Sequence, residues 1–247
     1  MPCAGCALPP SSCFCGKNGA ADWCWQWRRS SASSQRPART HTALVDVMET
    51  FSSLEQNFAA VEIDPFLRAC EAVVDVTALF GSRFSLPVRA NMTDNITKIR
   101  LAAQTRESHQ PSVLSELILL DVKEGVQKAE GSACLSTLWL KRVLDWNMEF
   151  VSKIVLEGQD PVDAAEAAHE KTLKPWHGWS LRMVFKAAFM LAPERGAFLA
   201  SFQESGALPN EDAVLAQLRA ILHALSPLIE SMDVWFDEQD LNFPEVV

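Results

Sequence analysis

Three polar side chains, Asn91, Asn95 and Lys98, are spaced i, i+4, i+7 in the segment VRANMTDNITKIR, residues 88 to 100. On an α-helix that spacing projects all three from one side, within about 40°. Two amides and an ammonium in a row can donate to hydroxyls or to a phosphate, and the amides can also accept. An ordinary solvated helix face is the alternative, and Asp94 offers Lys98 an i,i+4 partner that suits it. Further along, Trp139-Leu-Lys-Arg142 places an indole near the middle of an otherwise apolar helix. It is either core or a flat floor for the apolar face of a sugar ring. Pro175-Trp176-His177-Gly178-Trp179 sets a histidine at a helix start, beside a glycine that permits close approach. His177 is either a satisfied structural imidazole or a ligand contact. Trp179 is either core or an exposed indole suited to a membrane interface.

Common enzyme signatures are missing. There is no glycine-rich phosphate loop and no G-x-S-x-G elbow, and His169-Glu170 is followed by Lys171-Thr172-Leu173, so the second histidine of H-E-x-x-H is lacking. Asp160 to Lys171 imitates a calcium loop but has alanine where glycine is required and lysine where glutamate is required. The sequons at Asn91 and Asn95 fall within a helix and read as chance. No nucleophile–base pair or metal cluster emerges, so no enzyme activity, cofactor or metal is expected.

The elements that must position these residues are helical almost throughout. Amphipathic segments run from Ala43 to Phe58, from Asp64-Pro65 to Gly81, from Ser85-Leu86-Pro87 to about Ser108, and from Pro111 to Lys128. Others follow from Cys134 to Leu156, Pro161 to Lys174, His177 to Leu191, Glu194 to Ser205 and Asn210 to Asp237. Alternating period-2 strands are absent, which predicts an all-α domain of packed neighbouring helices.

The two ends of the 247-residue chain differ. Residues 1 to 40 hold Cys3, Cys6, Cys13, Cys15 and Cys24, together with Trp23, Trp25 and Trp27, and carry a net +4. The whole chain has a net charge of -9, which leaves −13 for residues 41 to 247. SASSQRPART, residues 30 to 39, reads as a linker. The head is expected to be an unstructured extension, with an acylated or organelle-targeting segment and a structural zinc as alternatives. Its Cys-x-Cys spacing does not match paired zinc knuckles. Cys70 and Cys134 are expected to be buried thiols, as suits a reducing compartment. The acidic balance disfavours nucleic acid as a partner. No continuous apolar run approaches the roughly 20 residues of a membrane span.

Three segments, VRANMTDNITKIR, LSTLWLKRVL (135 to 144) and PWHGWSLRMVFKAAFMLAPERGAFL (175 to 199), resemble the glycolipid transfer protein family in wording, order and spacing. The likeness covers about Asp64 to the C-terminus. It implies a two-layer all-helical sandwich enclosing an apolar pocket for ceramide chains, and non-enzymatic transfer of a sphingolipid between membranes. By resemblance, Asn95 and Lys98 bind the headgroup, Trp139 stacks on the first sugar, His177 engages the ceramide amide region, and Trp179 touches the membrane. Asn91 stands where the family has aspartate, which implies weakened or altered headgroup selection. The branch that carries ceramide 1-phosphate uses a pair of arginines where this chain has Leu135 and Trp139. The resemblance therefore favours a neutral glycosylceramide. Ceramide 1-phosphate transfer, or a sphingolipid sensor without transfer, are the alternatives. A cytosolic monomer with transient membrane contact is expected.

Overall fold

The computed structural model of the chain describes residues 40–106, 111–203 and 208–244, all within the unit 37–247. The linker and the cysteine- and tryptophan-bearing head, with the zinc and acylation alternatives, lie outside the described residues.

Apolar residues at helical spacing build each element. α1 (Thr40–Ser52) buries Ala43, Leu44, Val47 and Phe51. α2 (Ile63–Thr77) starts with Asp64 and Pro65 in its first turn and buries Phe66, Leu67, Cys70 and Val73. α3 (Leu86–Thr105) also opens on a proline, Pro87, and its buried face is Val88, Met92, Asn95, Ile96 and Ile99. Asn95 thus occupies a position that the spacing would assign to an apolar side chain. α4 (Leu114–Glu124) begins three residues later than Pro111. The backbone there is extended: Ile63 N–H donates to the Ser112 carbonyl at 3.0 Å, and Leu114 N–H to the Val61 carbonyl at 2.8 Å. Gly125, at φ 72, closes α4 in the left-handed region that favours glycine.

α5 (Ala133–Leu156) is the central helix, packing on α3 and α4, on α6 (Pro161–Thr172), and on α9 (Glu211–Glu238). α7 (Trp179–Phe189) follows α6 and packs on it, and α8 (Arg195–Ser201) leads to α9. The packed pairs α1–α2, α2–α3, α3–α5, α5–α9 and α9–α1 form a closed cycle, so the apolar faces of five helices meet in one interior. By length and composition α9 could cross a membrane. Here its apolar side, including Leu218, Leu225, Leu228 and Met232, is buried as this helix packs on α1 and α5. Among the described residues there is no strand, and Cys70 and Cys134 are free buried thiols.

Aromatic rings fill the interior beyond α5. Trp146 stacks on Phe150 and Phe189 with interplanar angles of 4° and 5°. Phe80, Phe84, Phe198 and Phe202 continue the cluster toward α8.

Candidate functional site

The start of α5 is held by groups from three elements. Asp121, wholly buried on α4, accepts the Cys134 N–H at 2.8 Å, and Ser132 accepts the Leu135 N–H at 3.1 Å. Both oxygens satisfy amides that the helix leaves open at its positive end. Arg106, the residue at which α3 ends, pairs with Asp121 and with Glu124 at 2.7 Å. The helix expected to run to Ser108 therefore stops at Thr105 as Arg106 turns toward α4. This clamp sets the phase of α5, and with it the direction in which Trp139 points.

Two contacts give the register of α3 against α5. The Asn147 amide reaches the Met92 sulfur at 3.8 Å, and Lys98 reaches Glu130, just before α5, at 3.6 Å. The helices are thus antiparallel here, and both Asn95 and Trp139 fall between the two contacts.

Asn91 and Asn95 do not project as independent side chains. The Asn95 Nδ2 group donates to the Asn91 backbone carbonyl at 2.9 Å and to Asn91 Oδ1 at 3.0 Å. The carbonyl can only accept, so the Asn95 atom facing it is nitrogen. That nitrogen in turn requires the oxygen of Asn91 opposite it. The Asn91 NH2 group is therefore turned away from this pair. Lys98 is engaged by Asp94 at 2.8 Å as well as by Glu130.

Trp139 is 8% exposed and its ring lies 5.9 Å from that of His177 at 20°. The guanidinium carbon of Arg142 sits 5.1 Å from the Trp139 ring and 3.7 Å from the Trp176 ring. Arg142 donates to the Phe243 carbonyl at 2.6 Å and to Asn242 at 3.1 Å, tying the C-terminal segment to α5.

His177 lies before α7 rather than in its first turn, because a short 3-10 turn at Lys174–Trp176 leads into an extended residue. Arg182 staples this loop, donating to the His177 carbonyl at 2.6 Å and the Lys174 carbonyl at 2.9 Å. The His177 ring is 4% exposed, and its Nδ1 lies 3.1 Å from Nε2 of His169 on α6. Burial pushes the His177 pKa down to about 3, with His169, Arg182 and Arg142 adding repulsion. Burial likewise pushes His169 down to about 4. Both rings are neutral at pH 7.

Trp179 is 77% exposed. Met183, Lys186 and Met190 follow it at helical spacing and are exposed too, while Phe185 and Phe189 form the buried side.

The structure therefore gathers Trp139 with His177, joins Asn91 to Asn95 on the antiparallel helix, ties Lys98 to two carboxylates, and leaves Trp179 on the surface. Sequence reasoning missed His169, which showed only as half of a failed zinc motif. It also missed the Arg142 and Arg182 anchors, which reach backbone carbonyls that leave no mark in the sequence and, for Arg142, the distant side chain of Asn242. The site can donate and accept neutral hydrogen bonds beside a flat indole.

The sequence profile described as "Glycolipid transfer protein (GLTP)" matches residues 61–204. A curated relative, zebrafish (Danio rerio) "Pleckstrin homology domain-containing family A member 8", is 28% identical over 215 residues, 82% of this chain. The matched region is 39% of that protein, so the chain spans about two fifths of the relative's length. A solved structure described as "How FAPP2 Selects Simple Glycosphingolipids Using the GLTP-fold" is 27% identical, with TM-score 0.66, covering 80% of this chain and 99% of that one. The apo form of mouse ceramide-1-phosphate transfer protein has TM-score 0.70 at 17% identity, covering 81% of this chain and 98% of that one, a likeness of fold alone.

Proposed function

We propose that this chain, which belongs to the glycolipid transfer protein family, carries a neutral glycosylceramide between membranes without chemical conversion. Members of this family are lipid transfer proteins, not enzymes. The observation that carries the proposal is Trp139, held by His177 and Arg142, on the stretch of α5 that faces the Asn91–Asn95 pair. An indole supports the apolar face of a sugar ring, while the amides and Lys98 serve its hydroxyls. His177 would meet the polar junction of sugar and ceramide, and the ceramide chains would enter the aromatic interior. Each buried CH2 is worth about 0.8 kcal/mol, which is why unaided escape of such a lipid from a bilayer is slow.

The engagement of the cations favours a neutral headgroup over ceramide 1-phosphate. Lys98 is matched by Asp94 and Glu130, and Arg142 is committed to Phe243 and Asn242. A phosphate dianion would have to displace those partners.

The exposed row Trp179, Met183, Lys186 and Met190 suits shallow, reversible docking on a bilayer, with Trp179 at the headgroup level. We place the domain in the cytosol as a monomer that visits membranes transiently.

The test is vesicle-to-vesicle movement of labelled glucosylceramide, run beside a binding assay and beside ceramide 1-phosphate. Faster movement of glucosylceramide supports the proposal, and a phosphate preference overturns it. Binding without movement supports a sensor instead. Trp139→Ala should lower glucosylceramide transfer at least about tenfold and cost about 3–5 kcal/mol of stability, as truncating a buried tryptophan does. Trp139→Phe, which keeps a ring, should recover most of the stability and only part of the transfer.

A further inference from the structure

His169 lies outside the polar row, yet among the described residues it makes the one hydrogen bond of the His177 ring, at 3.1 Å. The other rings against His177 are Phe185 at 4.8 Å and Trp139 at 5.9 Å. His169 is itself flanked by Phe185 at 5.4 Å and Phe189 at 5.5 Å. The charged groups around the pair are Glu170, Lys174, Arg182 and Arg142. Arg182 and Arg142 spend donors on backbone carbonyls, and Lys174 pairs with Glu170.

Two neutral imidazoles at this distance share a single hydrogen. With the hydrogen on Nε2 of His169, Nδ1 of His177 accepts, and His177 must carry its own hydrogen on Nε2. Both rings then adopt the tautomer that neutral histidine favours in water. The reverse arrangement requires the less favoured tautomer of both, and it would turn a bare lone pair of His177 toward a ligand.

We infer that His169 is a positioning residue: it donates its Nε2 hydrogen to Nδ1 of His177 and so fixes His177 as a single N–H donor, on Nε2, for an oxygen of the lipid's polar end. The acceptor class is an amide carbonyl or hydroxyl oxygen of a sphingolipid. This inference rests on the function proposed above for its ligand, but the tautomer itself belongs to the lipid-free protein. The device matters more here than it would beside an aspartate. Asn91 is uncharged and its oxygen already accepts from Asn95, so the orientation of the neutral donor at His177 carries more of the selection.

Long-range proton–nitrogen correlation spectra of the full chain, labelled with 15N at histidine, read the tautomer of each ring at pH 7. Lipid-free wild type should show His177 unprotonated at Nδ1 and protonated at Nε2. His169→Phe, which keeps a flat ring but has no donor, should show His177 as a mixture of tautomers. It should bind glucosylceramide in phosphatidylcholine vesicles about fivefold to tenfold more weakly, the size of one lost hydrogen bond. His169→Gln, whose amide can still donate, should restore both the single tautomer and the wild-type affinity. A wild type protonated at Nδ1 of His177 overturns the inference without any variant, and so does an unchanged tautomer in a folded His169→Phe protein. If the wild type shows the Nε2 tautomer yet binds no sphingolipid tested, the function proposed above fails while the His169 contact stands.

Discussion

The two sides of α5 solve the same problem by opposite means. Toward α3 and α7, apart from the Arg106–Asp121 pair at its start and Arg142 beside Trp139, the buried polar groups are neutral and pair with one another: Asn95 with Asn91, Asn147 with Thr77 and Val143, His169 with His177. On its open side Lys141, Asp145, Met148, Glu149, Ser152 and Leu156 line a groove of about 560 Å³, shared with α6 and α9. There the groups are charged and paired, Lys141 with Asp145 at 2.9 Å and with Asp233, Glu149 with Lys171 at 2.7 Å. Water can solvate what those ion pairs leave unmatched, whereas an unpaired charge on the inner side would lose its hydration without return. The inner side can therefore discriminate by hydrogen-bond direction, and the outer side cannot.

Acid should break this contrast most visibly, because the two sides titrate with opposite sign. His169 and His177 are held below their ordinary pKa of 6.5, at about 4 and about 3, so the unfolded chain binds protons first as pH falls. Their contribution is fully present above pH 6.5 and is lost on acidification, at up to about 1.4 kcal/mol per pH unit for each ring. Asp145 is raised by burial, against the pull of Lys141, from 3.8 to about 6. The folded state then binds the extra proton, and stability from Asp145 rises as pH falls from about 6 to about 4. Two rings outweigh one carboxyl, so thermal midpoints should decline from pH 6.5 to pH 4. A flat or rising midpoint over that range would show that the imidazoles are not buried as a neutral pair.

Asn91→Asp sharpens the inner side alone. An aspartate oxygen would accept the Asn95 amide as a charge-assisted bond and present a second acceptor to a ceramide N–H. Glucosylceramide affinity should rise about fivefold, the equivalent of roughly 1 kcal/mol. Equal transfer of every lipid by the two forms would remove any role of Asn91 in selection. Asp145→Asn is the smallest expected change. Glucosylceramide transfer should be unaltered and stability at pH 7 should move within about 1 kcal/mol, while the acid decline steepens because the opposing group is gone. Impaired transfer in this variant would connect the outer groove to cargo handling.

The helices and the polar row were legible because both are periodic. Asn91, Asn95 and Lys98 were found by spacing, and Asn95 sits in the same stripe as Val88, Met92 and Ile99. That misplacement of an amide among apolar residues was a signal in its own right. Helix ends were less legible. Pro111 and Pro175 marked breaks correctly, but not the extended residue at Val113, nor the turn that carries His177 out of α7. Those ends depend on Ser112 meeting Ile63 and Leu114 meeting Val61, and on Arg182 reaching back to Lys174.

By itself the sequence determined the all-α class, the existence of one apolar interior, and the row of Asn91, Asn95 and Lys98, since each follows from local spacing along a helix. Trp139 and His177 entered as headgroup residues through the resemblance to the family. Only the tertiary structure decided which of those groups remain available. It turned Asn95 onto Asn91, matched Lys98 with Glu130 from a loop, and brought His169 beside His177 across a helix end and a turn. The physical reason is that period reports which face of a helix a side chain shares. The partner that orients its hydrogen-bonding groups comes from packing between segments, and spacing carries no record of that.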